Sequence, residues 1–204
     1  MGLYREHVLP RLVDLVCGQP GFRSWRDDVV AGLSGTVVEV GFGSGLNVPH
    51  YPDQVEVVYA VEPSFVARRM SSGRIAESDI EVRHIGLDGA RLPLPDNSCD
   101  GALSTFTLCT LPDVGAALRE LRRVIRPGGS LHFLEHGLAP EESVARAQRV
   151  LEPVQKALAD GCHLTRDPIA LVAASGMTVT RHRSQYGTLG KPWNWLTIGT
   201  ARVD

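Results

Sequence analysis

Three alternating glycines, Gly41, Gly43 and Gly45, follow the apolar run Thr36-Val-Val-Glu-Val and lead into Leu46-Asn47. Glycine backbone takes positive φ and comes into contact with ligands, so such a triplet after a buried strand forms a bare main-chain cradle. The next apolar run, Val57-Val-Tyr-Ala-Val61, ends on Glu62-Pro63. An acid about 20 positions after the first glycine, at the C-terminal end of a strand, is placed to accept two charge-assisted hydrogen bonds from a ribose diol. Glycines and acid together specify a nucleoside-binding site.

Spacing and charge narrow the ligand. A dinucleotide fingerprint needs its third glycine at position 46, for close helix packing under a pyrophosphate, and position 46 is leucine. Glu39, two residues before Gly41, adds an anion near the turn. That suits a cofactor carrying an ammonium and a sulfonium better than one carrying two phosphates. S-adenosylmethionine is therefore the expected cofactor, with an NAD-dependent oxidoreductase and a non-catalytic S-adenosylmethionine-binding module as alternatives. The turn-rich segment Gly86 to Asp96 offers Asp88-Gly89, where Asp88 either pairs with an adenine amine or closes an Asx turn. Thr105, in Ser104-Thr-Phe-Thr-Leu108-Cys109, ends a strand on the side where open parallel sheets bind ligands.

A sulfonium methyl is already activated, so transfer requires in-line placement of a nucleophile and exclusion of water, with no metal. An oxygen or nitrogen acceptor gains from a general base, and His136 and His163 are the candidates. His136 ends a strand on the ligand side and is alternatively a histidine satisfied by a neighbouring helix. His163 lies in the polar turn Asp160-Gly-Cys-His-Leu-Thr-Arg166 and is alternatively part of a helix-to-helix connection. His132-Phe-Leu-Glu-His136 matches an HxxEH zinc pattern, but that pattern requires a helix and the flanks read as a strand. Strand residues four apart stand about 13 Å from one another, too far to share one zinc ion.

These groups need a frame, and the hydrophobic pattern supplies it. Helical spacing over Leu3 to Val16 and Trp25 to Leu33 predicts a helical segment over 1–34, either packed on a sheet or covering a substrate. Residues 35–204 form the cofactor-binding unit. Strands are expected near 36–40, 57–61, 80–85, 99–107 and 131–136, and helices at 113–126, 143–158 and 168–174. Pro49 and Pro52 allow only a brief helix after the glycines, and Pro153 implies a break or kink. Two final strands, 177–183 and 195–201, are close enough in sequence to pair antiparallel. Serial strand-helix units place parallel strands in one sheet with helices on both faces.

Composition sets limits. A formal charge of -2 with scattered arginines provides no basic field for nucleic acid. Cys17, Cys99, Cys109 and Cys162 show no CxxC pairing and no signal peptide is evident, so reduced thiols in a cytoplasmic protein are expected. Trp193, Trp195, Phe106 and Leu108 are read either as an acceptor pocket or as core. The expected partner is a small, lipophilic acceptor: a thiol, a phenol or a quinone-like ring.

The ordered set VVEVGFGSGLN, VEP, LPLPDNSCD and LRELRRVIRPGGSLHFLEH, over positions 36 to 136, resembles class I S-adenosylmethionine-dependent methyltransferases of the ubiquinone-type, methyltransferase domain 11 group. Glu39 to Asn47 with Tyr51-Pro52, Leu108-Cys109, Phe133 to His136, Leu151 to Pro153 and Asp160 to Arg166 are similar to the methyltransferase-like protein 7 group of thiol methyltransferases. The resemblance implies an α/β, Rossmann-like fold with a mostly parallel seven-stranded sheet and an antiparallel C-terminal strand. It implies that Gly41, Gly43 and Gly45 pass under the methionine and ribose, that Glu62 holds the ribose, and that Asp88-Gly89 reads adenine. Those relatives carry an N-terminal membrane segment, which this chain is expected to lack. Position 42, often cysteine in relatives, is phenylalanine here and is expected to narrow the cofactor floor.

Overall fold

The computed structural model describes residues 3–204, so the first two residues of the expected 1–34 segment lie outside it. A π-helical turn, Tyr4–Val8, runs into α1 (Leu9–Cys17), and a 3-10 turn, Pro20–Phe22, leads into α2 (Arg23–Val30). The strands are β1 (Gly35–Val40), β2 (Val55–Val61), β3 (Glu81–Gly86), β4 (Cys99–Thr105), β5 (Ile125–His136), β6 (Thr178–Tyr186) and β7 (Trp195–Arg202). The remaining helices are α3 (Phe65–Ala76), α4 (Val114–Val124), α5 (Glu142–Leu158) and α6 (Pro168–Ala174).

One seven-stranded sheet results, in the order β3-β2-β1-β4-β5-β7-β6, with β7 antiparallel to both of its neighbours. The buried part of strand β1, Glu39 apart, is apolar on both faces because both faces are covered. Val37 enters a core shared with Trp25, Val29 and Val30 of α2, while adjacent Val38 enters the opposite core with Leu118 and Leu121 of α4 and Val172 of α6. Three helices start at side-chain caps: Ser64 accepts from Ala67 N–H, Asp113 from Ala116 N–H, and Asp167 from Ile169 and Ala170 N–H.

Register creates the site. Val40 pairs in parallel with Val61 on one side and with Ser104 on the other. The glycine turn, Glu62 and Thr105 therefore leave the sheet side by side. Strand order reverses between β1 and β4, the switch point at which such sheets bind ligands.

Several boundaries differ from expectation. Helix α3 is not evident in the sequence, because only Ala67 and Ser71 of it are buried while Phe65 is exposed. The short helix after the glycines is a 3-10 turn, Val48–His50. β4 stops at Thr105 instead of continuing to 107, since Phe106 takes φ +54°. β5 begins at Ile125, and a register shift against β4 absorbs Pro127-Gly-Gly. Helix α5 runs unbroken through Pro153, whose position is exposed. Among the described residues no helix is long and apolar enough to cross a membrane.

Candidate active site

The turn after β1 has Gly41, Gly43 and Gly45 at φ +74°, +57° and +75°, the left-handed region that favours glycine. A side chain at Gly41 would run into Thr107, and one at Gly45 would lie 3.0 Å from Ser71 Cβ on α3. At Gly43 the nearest atom would be 3.8 Å away, so this backbone faces open space. Packing thus forbids side chains at the edges of the cradle and leaves its floor bare, which fits a ligand lying on main chain.

Glu62 is tied to that floor. Its Oε2 accepts from Gly43 N–H at 2.8 Å and its Oε1 from Ser64 N–H at 2.8 Å. Burial pushes its carboxyl up, while those two amides pull it back toward the anion. Pro63 beside it is exposed. Each carboxylate oxygen retains a lone pair for a diol.

Glu39 lies beneath the cradle, fully buried. Its oxygens accept from Asn47 Nδ2 at 2.5 Å and Tyr51 O–H at 2.7 Å. Asn47 also donates to Thr105 Oγ1 at 2.9 Å and accepts from Arg26 Nη1 at 2.6 Å. Arg26, only 4% exposed, arrives from α2 and was not legible as a site residue in the sequence. Asn47 is thereby spent inside the network, which carries one buried cation and one carboxyl. Burial raises the Glu39 carboxyl to about 7, against the pull of Tyr51, Asn47 and Arg26. From α1, Asp14 accepts from Ser44 Oγ at 2.6 Å and pairs with Arg74 of α3 at 3.0 Å. The N-terminal helices are therefore bonded to the glycine turn.

On the β3 side, exposed Asp88 closes an Asx turn by accepting from Ala90 N–H at 2.8 Å. Gly89 is required there: a Cβ would lie 2.6 Å from Val40. Glu120 and Arg123 of α4 hold the following loop through Leu92 N–H, Leu92 O and Leu94 O. Phe42 is buried on the α2 face with its ring edge-on to His84, so it fills core instead of narrowing the floor.

Beyond β4, the buried carboxylate of Glu135 accepts from Ser104 Oγ and from the Thr107, Leu108 and Cys109 N–H groups. This ties down the turn carrying Cys109. His136 then faces two sulfurs, with Nδ1 at 3.8 Å from Cys109 Sγ and 3.7 Å from Cys162 Sγ, and the sulfurs are 3.6 Å apart. Contact with Cys109, then with His136, holds the Cys162 thiol below the ordinary range, while the same sulfur contact and burial push Cys109 well above it. Burial alone would lower the His136 imidazole, but Cys162 outweighs it and raises it.

His163 is not part of this cluster. Its ring lies 3.1 Å from Glu152 Oε1 on α5, and its main-chain N–H donates to Cys109 O at 2.8 Å. Phe106 stands between Phe22 and His136, ring centres at 5.5 and 5.2 Å. Leu108 is core, Trp193 is at the surface and Trp195 packs on Tyr186. Glu135, Arg26 and the paired cysteines had no local sequence signal, since their partners are far away in the chain.

A glycine cradle at the switch point of a doubly wound sheet, with an acid on the adjacent strand, defines a Rossmann-like nucleoside-cofactor protein. The family model described as "Methyltransferase domain" matches residues 38–133. Thiol S-methyltransferase TMT1B of Rattus norvegicus is 33% identical over 171 residues, covering 80% of this chain and 67% of the relative. The Homo sapiens protein of that name is 36% identical over 178 residues, covering 83% and 70%. A SAM-dependent methyltransferase structure from Thermotoga maritima shares the fold with a TM-score of 0.69 at 19% identity, covering 98% of this chain and 99% of that one. The chain belongs to the S-adenosylmethionine-dependent methyltransferases, and S-adenosylmethionine is its cofactor. With that membership the oxidoreductase alternative falls.

Proposed function

We propose that this enzyme methylates a small lipophilic acceptor, and that the acceptor is a thiol. The observation carrying the reading is the aromatic cluster at the ends of β4 and β5, where the Phe106 ring lies between Phe22 and the imidazole of His136. The names of its relatives point to the same acceptor class.

When bound, S-adenosylmethionine supplies a methyl group activated on a sulfonium. The residues' contribution is placement. In this reading, Gly41, Gly43 and Gly45 present main chain to the methionine and ribose, Glu62 holds the diol, and the Asp88-Gly89 turn borders the adenine. Glu39, Asn47 and Thr105 act with Arg26 and Tyr51 as a brace that fixes the cradle's shape. Apolar walls at Phe106 and Phe22 exclude water from a thiolate. His136 keeps the acceptor sulfur ionised at neutral pH, which a free thiol with a pKa of about 8.5 is not. His163, bonded to Glu152, orients the 160–166 loop.

The test is radiolabelled methyl transfer across a panel of alkyl thiols, phenols and amines. Preferential labelling of lipophilic thiols is expected. Transfer confined to amines, phenols or charged polymers overturns the thiol assignment, and cofactor binding without any transfer overturns the catalytic reading.

A further inference from the structure

Cys109, His136 and Cys162 bring two sulfurs and an imidazole nitrogen within 4.8 Å of one another from three separate segments. Their separations are 3.6 Å between the sulfurs and 3.7 and 3.8 Å from each sulfur to Nδ1. A tetrahedral zinc ion, with Zn–S about 2.3 Å and Zn–N about 2.05 Å, sets ligand edges of about 3.8 Å for S···S and about 3.6 Å for S···N. The triangle already has nearly those edges, so an ion would enter with little movement of its ligands.

Hydrogen bonds hold the main chain around Cys109 and tie it to the loop carrying Cys162. Glu135 receives the Cys109 N–H at 3.2 Å, and His163 N–H to Cys109 O joins the two cysteine-bearing loops at 2.8 Å. Both cysteines are nearly inaccessible, at 2% and 3% exposure, whereas His136, beside Phe106, is partly exposed. Among the described residues no fourth Cys, His, Asp or Glu completes the set. Three protein ligands with an open fourth position are the pattern of catalytic zinc; structural zinc takes four.

We propose that Cys109, His136 and Cys162 bind a thiophilic divalent ion of the zinc class, whose fourth position takes the acceptor thiol. The acceptor assignment rests on the thiol methyltransferase reading; the metal site rests on the triangle alone. On binding, the acceptor S–H bond breaks, an S–metal bond forms, and the proton leaves to solvent. The product is a metal-held thiolate at the ends of β4 and β5. In this arrangement His136 is a ligand, and the ion, in place of an imidazole base, holds the acceptor ionised.

The experiment is cobalt(II) titration of the full chain, stripped of metal and kept reduced with a phosphine. One equivalent should produce a near-ultraviolet thiolate-to-cobalt charge-transfer band and tetrahedral visible bands, and zinc should displace them. Cys162→Ser and Cys109→Ser should each weaken binding by more than about 100-fold, beyond the loss usual for an outer-shell change. Adding an alkyl thiol to the cobalt form should shift the charge-transfer band. With circular dichroism showing folded wild-type protein, absence of the band overturns the metal site, as does a band that survives both substitutions. A band insensitive to thiol overturns the fourth-position assignment. Methyl transfer assayed in parallel separates the two readings: transfer with no band leaves the methyltransferase and removes the metal, and a band with no transfer to thiols does the reverse.

Discussion

The carboxylate of Glu62 and the amide of Gly43 are joined at 2.8 Å, so the acid expected to hold a sugar also holds the main chain on which that sugar would lie. Substitution at Glu62 therefore acts on the ligand and on the cradle together. Glu62→Ala should weaken S-adenosylmethionine binding by about 1.5 to 3 kcal/mol, or about 10- to 150-fold, the range for charged hydrogen bonds. Titration calorimetry with the cofactor and its demethylated product reads this directly. An unchanged dissociation constant removes Glu62 from the ribose.

Gly41→Ala should destabilise the fold as well as empty the site. The left-handed φ of +74° costs a side chain about 1–2 kcal/mol, and the added carbon meets the Thr107 side chain. Pairing it with Thr107→Ala should restore part of the loss in a denaturant melt. A double substitution no better than the single one would show that the strain is backbone alone.

The buried brace predicts a pH dependence. Glu39 has a folded-state carboxyl raised from 4.5 to about 7, so the folded protein binds this proton more tightly than the unfolded chain. The stabilisation from protonated Glu39 is complete below about 4.5 and is lost as pH rises toward 7. Between pH 5 and 8 the wild type should lose more stability than Glu39→Gln does. Parallel slopes of melting temperature against pH in the two proteins would contradict the assignment.

Phe106 combines strain with a wall. A bulky aromatic residue at φ +54° is unusual, and such outliers gather at functional sites. Phe106→Asn tolerates the backbone but removes the ring from between Phe22 and His136. It should raise KM for a lipophilic thiol by about 10-fold or more, since burying an aromatic side chain contributes about 1.5–3 kcal/mol. Cofactor affinity should hardly change. Equal losses in both would indicate a distorted cradle in place of a missing wall.

What could be read from the sequence was local. Gly41, Gly43, Gly45 and Glu62 announce themselves because a strand, a turn and an acid at fixed offset carry the signal within a short window. Asp88-Gly89 is legible for the same reason, although the structure gives Asp88 an Asx turn. Helix α3 escaped notice because it packs small residues, Ala67 and Ser71, against its neighbours and leaves no apolar stripe. Arg26 looked like one more arginine on a helix until Asn47, distant in sequence, brought it to Glu39. The cysteine–histidine triangle is the extreme case. Its members stand 27 and 26 positions apart, and only the β4–β5 register and the loop after α5 bring them together.

The placement of β7 bears on how the molecule is made. This strand is synthesised after β6, yet in the sheet it sits inside it, hydrogen-bonded to β5 on one flank and β6 on the other. While the ribosome still holds Trp195–Arg202, β6 has no template to join and β5 offers an open edge that a second nascent copy can occupy. Closure of the sheet waits for that late insertion.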